Sequence, residues 1–233
     1  MTQQTPFHKR IINLATYFLG SMLVFQIPIM IFYLNSYSLE EVLTYHSVSI
    51  SFYSTLIGAI ILIFVNWLEL LEQFKKIKWN KTFVTILKYY AMIMISNVVT
   101  SVVLSYLAGS DSATNQTSIE ASLQSLPLIT ILSVVVLAPF VEEMVFRYSL
   151  MNVDSDKKDL KLVWWIISSA IFGGMHLIAT ITSGQLNELW FFFQYFAMGL
   201  IIGHSYLKTK NIWVPTLLHL FSNGIATLAI LFL

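Results

Sequence analysis

The chain has 233 residues, of which 57% are hydrophobic and only 11% are charged, against roughly 45–50% and about 25% in soluble globular domains. Its net charge of +1 gives no basic surface for nucleic acid, and no Gly-rich phosphate loop occurs. The absence of cysteine excludes disulfides, thiolate metal sites, cysteine nucleophiles and cysteine-linked lipid anchors. The composition therefore predicts an integral membrane protein, with membrane lipids as its surroundings.

The hydrophobic segments are continuous and about 20 residues long, as in membrane-spanning helices, and do not alternate as barrel strands do. The predicted fold class is all-α, a polytopic helical bundle in which residues 1–233 form one transmembrane domain. The first segment is predicted to be a retained helix, because no small-residue cleavage site follows it. The stretch 109–122, rich in Ser and Thr, is predicted to be an outer loop. Seven spans are expected, near residues 11–34, 47–68, 84–107, 122–150, 162–182, 189–207 and 212–233.

Apart from Lys88 and Arg147, lysine and arginine occur only before the first predicted span and in alternate connections between the predicted spans. Since positively charged connections stay in the cytoplasm, this segregation predicts a multi-pass protein of the cell membrane with a cytoplasmic N-terminus and an extracytoplasmic C-terminus. The cations of the predicted inner side are Lys9, Arg10, Lys75, Lys76, Lys78, Lys81, Lys157, Lys158, Lys161, Lys208 and Lys210.

The last four predicted spans contain polar residues that are costly in a membrane. An ionisable side chain at the centre of a spanning helix costs about 2.5–3.5 kcal/mol on insertion scales. Glu142 and Glu143 close an apolar run, His176 lies in the fifth span, and His219 and Asn223 lie in the seventh. At about 1.5 Å per residue, these positions share one depth near the middle of the membrane, which predicts that they converge.

The spacing around the two glutamates separates their environments. In a helix, Glu143 and Arg147 are i,i+4 neighbours that can form an ion pair, while Glu142 points about 100° away and is free to face a cavity. The alternative is a solvated helix end at the cytosolic interface.

The two histidines stand in different contexts. His176 follows Gly173 and Gly174, which would let a neighbouring helix approach closely; alone, such a histidine is more often a packing residue. His219 and Asn223 share a face at i,i+4, and Pro215 is predicted to kink the helix beside them.

These residue types suit amide hydrolysis without a covalent intermediate. A carboxylate and a histidine that share a water form a general base, and a second histidine with an asparagine amide can donate hydrogen bonds to an oxyanion. The alternative for Glu142, His176 and His219 is a zinc site. No His-Glu-x-x-His sequence is present.

Three motifs resemble those of the CPBP family of intramembrane glutamic proteases, also called the CAAX prenyl protease type II or Abi family. They are Glu142-Glu143-x-x-x-Arg147, Phe172-x-x-x-His176 and His219-x-x-x-Asn223. The resemblance covers a catalytic core at about residues 122–230. Family members often have glycine after the arginine, where this chain has Tyr148. They commonly have about eight membrane segments, so an eighth segment is possible in addition to the seven expected.

The resemblance implies a function and a role for each site residue. Glu142 would be the catalytic base that activates water with His176, and His219 and Asn223 would stabilise the oxyanion. Glu143 and Arg147 would be supporting residues. No cofactor or metal is implied, and the substrate would be a membrane-embedded or membrane-associated peptide or protein. The short loops and lack of cysteine resemble a bacterial member.

Two other functions remain open from the residues alone. One is a zinc-dependent intramembrane protease, and the other is a non-catalytic membrane scaffold or bacteriocin-immunity factor. Gly199 and Gly203 form a small-xxx-small face, which would serve either a homo-oligomer or packing inside the bundle.

Overall fold

The computed structural model describes residues 5–108, 113–152 and 158–232, and these ranges form an all-α bundle, as the sequence predicts. A short 3₁₀ helix, Leu186–Phe191, directly precedes the helix that begins at Phe192. The helices are α1 (Phe7–Leu34), α2 (Leu39–Lys75), α3 (Trp79–Ala108), α4 (Thr114–Ser125), α5 (Pro127–Leu150), α6 (Lys158–Met175), α7 (Ile178–Thr182), α8 (Phe192–Thr209) and α9 (Trp213–Phe232).

Within the described ranges, six helices are long and apolar enough to cross a membrane: α1, α2, α3, α5, α8 with its preceding 3₁₀ turn, and α9. The predicted span at 162–182 is the exception. Its main helix, α6, begins with charged residues and ends at Met175, and His176 lies in the turn before α7. The break has a physical reason: glycine weakens a helix, and Leu177 donates to the carbonyl of Gly174 in a tighter i,i+3 turn.

The predicted outer loop at 109–122 is largely wrong, because Thr114–Ser125 forms α4. Glu188 explains the helix start: its Oε2 accepts hydrogen bonds from both the backbone N–H and the hydroxyl of Thr114, at 2.7 and 2.6 Å. A carboxylate at a helix N-terminus satisfies an orphan donor and favours the helix dipole. This contact comes from 74 residues away, so local composition could not reveal it. Asp111, Asp154 and Lys157 lie outside the described residues.

Pro215 does not kink the last helix. It occupies the third position of α9, in the first turn, where a backbone N–H has no intrahelical partner to lose. The predicted kink is therefore wrong because α9 starts at Trp213, only two residues earlier.

Helix α5 changes register on either side of the two glutamates. Residues Leu132–Leu137 and Met144–Leu150 are wound as π-helix, with Ala138–Glu143 between them in α geometry. Such wider turns are rare and frequently lie at functional sites. They rotate the faces of α5 relative to an ideal helix, so the positions of its side chains cannot be read from 3.6-residue periodicity.

Helices α6 and α8 pack closely through glycine. A Cβ at Gly199 would lie 3.2 Å from atoms of Ser169 and Phe172, and one at Gly203 would lie 2.8 Å from Trp165. The small-xxx-small face of α8 is thus used inside the bundle. Gly173 makes a similar approach to α8, whereas a Cβ at Gly174 would meet no atom within 4 Å.

The N-terminal helix, α1, is hydrogen-bonded to the rest of the bundle through a buried polar network. Asn13 donates to Ser149 Oγ of α5 at 3.0 Å, and Asn66 of α2 donates to Asn13 Oδ1 at 2.8 Å. Asn66 also donates to the carbonyl of Leu62, and its φ and ψ of −115° and 17° mark a local kink in α2. These three buried polar side chains join α1 to the helix that contains both glutamates.

Candidate active site

Glu143 is the centre of the site. Its side chain is fully buried, and one oxygen, Oε1, accepts from Arg147 Nη1 at 2.8 Å and lies 2.9 Å from His219 Nδ1. The i,i+4 ion pair that the spacing predicts is present. The link to His219 joins α5 to α9, and sequence spacing gave no sign of it.

Arg147 is 1% exposed and also donates to the carbonyl of Gly199 at 3.1 Å, while its guanidinium lies over the ring of Phe172 at 4.7 Å. The alternative of a solvated interfacial helix end does not fit such burial. Since a buried charge needs compensation, Arg147 ties Glu143 to α6 and α8 as well.

His219 lies between the two carboxylates. Its Nδ1 faces Glu143, and its Nε2 lies 3.9 Å from Oε2 of Glu142, whose side chain is 15% exposed. A carboxylate can only accept a hydrogen bond, so Nδ1 of His219 carries a proton. Nε2 is then a donor only when the ring is a cation. Two carboxylates and one guanidinium leave one negative charge among these groups, which an imidazolium at His219 would balance.

His176 is held by its own helix end. Its Nδ1 lies 2.9 Å from the carbonyl oxygen of Phe172, and because a carbonyl only accepts, Nδ1 carries the proton of the neutral ring. Nε2 is then left with a lone pair, which suits a base. The ring stacks on Tyr195, with centroids 4.5 Å apart.

Asn223 is anchored by a carbonyl that Pro139 leaves free. Ala138 donates to Ser133 in the π register, and the next residue, Pro139, has no N–H to offer. The carbonyl of Val134 instead accepts from Nδ2 of Asn223 at 2.9 Å. One N–H of the carboxamide is thereby used for positioning, and the second remains available.

A cavity of about 250 Å³ lies against these residues. His176, His219 and Asn223 line it, whereas Glu142 does not and contacts the lining residue His219, whose Nε2 lies 3.9 Å from Glu142 Oε2. Its other walls come from α3, α4, α8 and the C-terminal part of α9. Within the described part of the chain, the lining contains neither a carboxylate nor a Lys or Arg side chain.

Tyr195 is a site residue that sequence reasoning missed. It stacks on His176, lines the cavity, and its hydroxyl accepts from Asn115 Nδ2 at 3.5 Å. It belongs to none of the three motifs, and only its place on a helix next to a polar cavity marks it.

The donor groups are arranged for hydrogen bonding. Nδ1 of each histidine already faces an acceptor, and Asn223 is an amide, which is a poor zinc ligand. Over residues 5–108, 113–152 and 158–232, no three His, Asp or Glu side chains are grouped as metal ligands would be.

Comparison with known proteins gives a family match for the part of the chain that contains this site. A sequence model of the family described as type II CAAX prenyl endopeptidase, Rce1-like, matches residues 124–225. The family resemblance is confirmed. All six residues singled out from the motifs lie inside the matched segment, whereas α1, α2 and α3 lie outside it.

Two curated relatives are bacterial membrane proteins. The membrane-embedded CAAX protease MroQ of Staphylococcus aureus (strain USA300) is 28% identical over 136 residues, which are 58% of this chain and 53% of the relative. The putative membrane peptidase YdiL of Bacillus subtilis (strain 168) is 33% identical over 115 residues, 49% of this chain and 42% of the relative. The chain thus matches about half the length of each relative. No solved structure gives a significant match.

Proposed function

We propose that this multi-pass membrane protein is an intramembrane endopeptidase that hydrolyses peptide bonds of membrane-embedded or membrane-associated substrates. The observation that carries the proposal is His219, held between Glu142 and Glu143 at the wall of a polar cavity. The similarity to CAAX proteases supports the same reaction class.

In the proposed mechanism, Glu142 and His176 activate a water. Glu142 is partly exposed, and the neutral His176 ring has an unprotonated Nε2. The water loses its proton to this pair as its oxygen attacks the scissile carbonyl, and the proton then passes to the leaving amine. Proton transfer by a positioned side chain is typically worth about 10²–10⁴-fold in rate.

His219 and Asn223 stabilise the oxyanion that forms. An imidazolium at His219 donates from Nε2, and Asn223 donates the N–H that does not bind Val134. Glu143 and Arg147 are positioning residues in this scheme, because Glu143 fixes the ring of His219 and Arg147 holds Glu143. Preorganised donors of this kind are typically worth about 10²–10³-fold each.

The experiment that tests the function uses purified protein in lipid vesicles with a library of transmembrane peptides. Products are sequenced by mass spectrometry, and Glu142→Gln serves as the matched control. Cleavage by the wild type and none by the variant is expected. Peptide binding by both proteins, with no product from either, would instead favour the scaffold or immunity factor and overturn the proposal.

The proposed orientation has the N-terminus inside. Two contacts support it, because they bring three of the lysine-bearing segments together: Lys9 pairs with Glu69 near the end of α2, and Asn211, before α9, donates to the carbonyl of Gln73. Because the chain lacks cysteine, single cysteines at Ser36 and Lys76 can be labelled with an impermeant thiol reagent in intact cells. Labelling at Ser36→Cys alone is expected. Labelling at Lys76→Cys alone would show that the orientation is the reverse of the proposed one.

A further inference from the structure

Two carboxamides that belong to none of the motifs line the catalytic cavity without a hydrogen-bond partner. Asn97 comes from α3 and Gln194 from the start of α8. Neither side chain hydrogen-bonds to any described residue, whereas Asn115 and Gln116, which also line the cavity, contact Tyr195 and Glu120. Both unpartnered groups are half-buried.

An unpaired carboxamide in a membrane helix is unfavourable, and such residues mark functional surfaces. Asn97 stands 11 residues before the end of α3, about 16 Å along the helix, and its neighbours Val98 and Val99 are exposed on the apolar outer face of the bundle. Packing therefore gives no reason for an amide here, but the cavity does, because Asn97 faces the same space as His219.

A carboxamide matches a peptide unit, since it offers both an N–H donor and a carbonyl acceptor. A peptide bond in a membrane helix cannot be attacked until the helix is unwound locally, and every backbone group so released needs a new partner in the absence of bulk water. We propose that Asn97 and Gln194 bind the backbone of an unwound substrate segment beside the scissile bond. This inference rests on the proposed endopeptidase function and specifies its substrate.

The substrate class follows from the cavity wall. Because the described lining has no Asp, Glu, Lys or Arg, the bound segment is uncharged around the cut and is recognised through its main chain. Residues that weaken a helix, such as glycine or β-branched residues, favour binding because they lower the cost of unwinding.

The test is a double-mutant cycle that pairs side-chain variants of the protein with backbone changes in the substrate peptide. A transmembrane peptide that the wild type cleaves is compared with forms in which an ester replaces one amide flanking the scissile bond, which removes a single N–H donor. Asn97→Leu and Gln194→Leu are assayed on both forms, and Asn80→Leu, an exposed amide outside the cavity on the same helix, is the matched control.

Each cavity variant is expected to lower kcat/KM about 5- to 30-fold, the size of one or two hydrogen bonds, with tryptophan fluorescence used to verify folding. The ester at the contacted position should slow cleavage by the wild type and by Asn80→Leu about as much as a cavity variant does. In the cavity variant that has lost the matching contact, the same ester should have little further effect. Full activity of Asn97→Leu and Gln194→Leu, or undiminished ester effects in both, would overturn the inference. No cleavage by the wild type would overturn the proposed function itself.

Discussion

Oε1 of Glu143 lies 2.9 Å from Nδ1 of His219, and the same oxygen accepts from Arg147. One buried carboxylate atom therefore connects the glutamate motif of α5 with the histidine motif of α9. The bond assigns the proton of His219 to Nδ1, so Glu143 decides whether the other ring nitrogen, Nε2, can donate a hydrogen bond.

The two glutamates are expected to respond differently to the same substitution. Glu142→Gln should abolish peptide cleavage, about 10²–10⁴-fold or more, and leave stability nearly unchanged because its side chain is partly exposed and its pairing with His219 is long, at 3.9 Å. Cleavage and unfolding of the purified variant in detergent micelles measure both effects. Comparable, mild losses of activity for Glu142→Gln and Glu143→Gln would contradict the assignment.

Glu143→Gln is expected to lower both activity and stability. It leaves Arg147 charged and buried without its carboxylate, and removing one partner of a buried pair costs about 3–5 kcal/mol. The double variant Glu143→Gln/Arg147→Met should recover part of that stability but none of the activity, because His219 remains without its anionic partner. Tryptophan fluorescence during chemical unfolding measures the stability of these variants, and peptide cleavage measures their activity.

Asn223 and Pro139 are expected to act on one catalytic step. Asn223→Ala should reduce kcat about 10²–10³-fold, as for the loss of an oxyanion donor. Pro139→Ala restores a backbone N–H that can reach Val134 and release Asn223, so it should lower kcat with little change in KM. Pro215→Ala, in the first turn of α9, is the control. Equal kcat in both proline variants would contradict the anchoring role.

The buried asparagines of α1 and α2 are expected to be coupled in stability. Asn13→Leu leaves one N–H of the buried Asn66 amide without an acceptor, while the other still donates to Leu62, at a cost of about 1–3 kcal/mol. Asn13→Leu/Asn66→Leu should then cost less than the two single changes together. Unfolding measured by tryptophan fluorescence tests this, with exposed Asn35→Leu as the control; strict additivity would show that the two side chains are independent.

Peptide cleavage is expected to survive strong chelators. The reason is the donor set: Nδ1 of both histidines faces an acceptor, and the fourth polar group, Asn223, is an amide. Activity after EDTA and 1,10-phenanthroline, with metal content by atomic emission, measures this. Loss of cleavage that zinc alone restores would make Glu142, His176 and His219 ligands.

Much of the architecture was decided by composition. In lipid, a backbone is satisfied only in a helix or a closed barrel, and continuous apolar runs exclude the alternating strands of a barrel, so the all-α membrane bundle followed from the sequence. The family resemblance followed from three spaced motifs, and the Glu143–Arg147 pair from helix geometry, because i,i+4 side chains lie one turn apart on the same face.

Contacts between distant residues were decided by the tertiary structure. The predicted outer loop contains α4, because Glu188 caps the start of this helix from elsewhere in the chain. The predicted fifth span is interrupted at His176 by the two preceding glycines and by the hydrogen bond from the His176 side chain to the carbonyl of Phe172. Neither the Glu143–His219 bond nor the Tyr195 stack is visible in local periodicity.

The sequence by itself thus determined a membrane bundle with three polar motifs, since burial of apolar runs and i,i+4 spacing are local properties. Only the tertiary structure decided that His219 lies between two carboxylates and that a proline on one helix frees a carbonyl for an asparagine on another. The physical reason is that π-helical turns in α5 and close glycine packing between α6 and α8 set which faces meet.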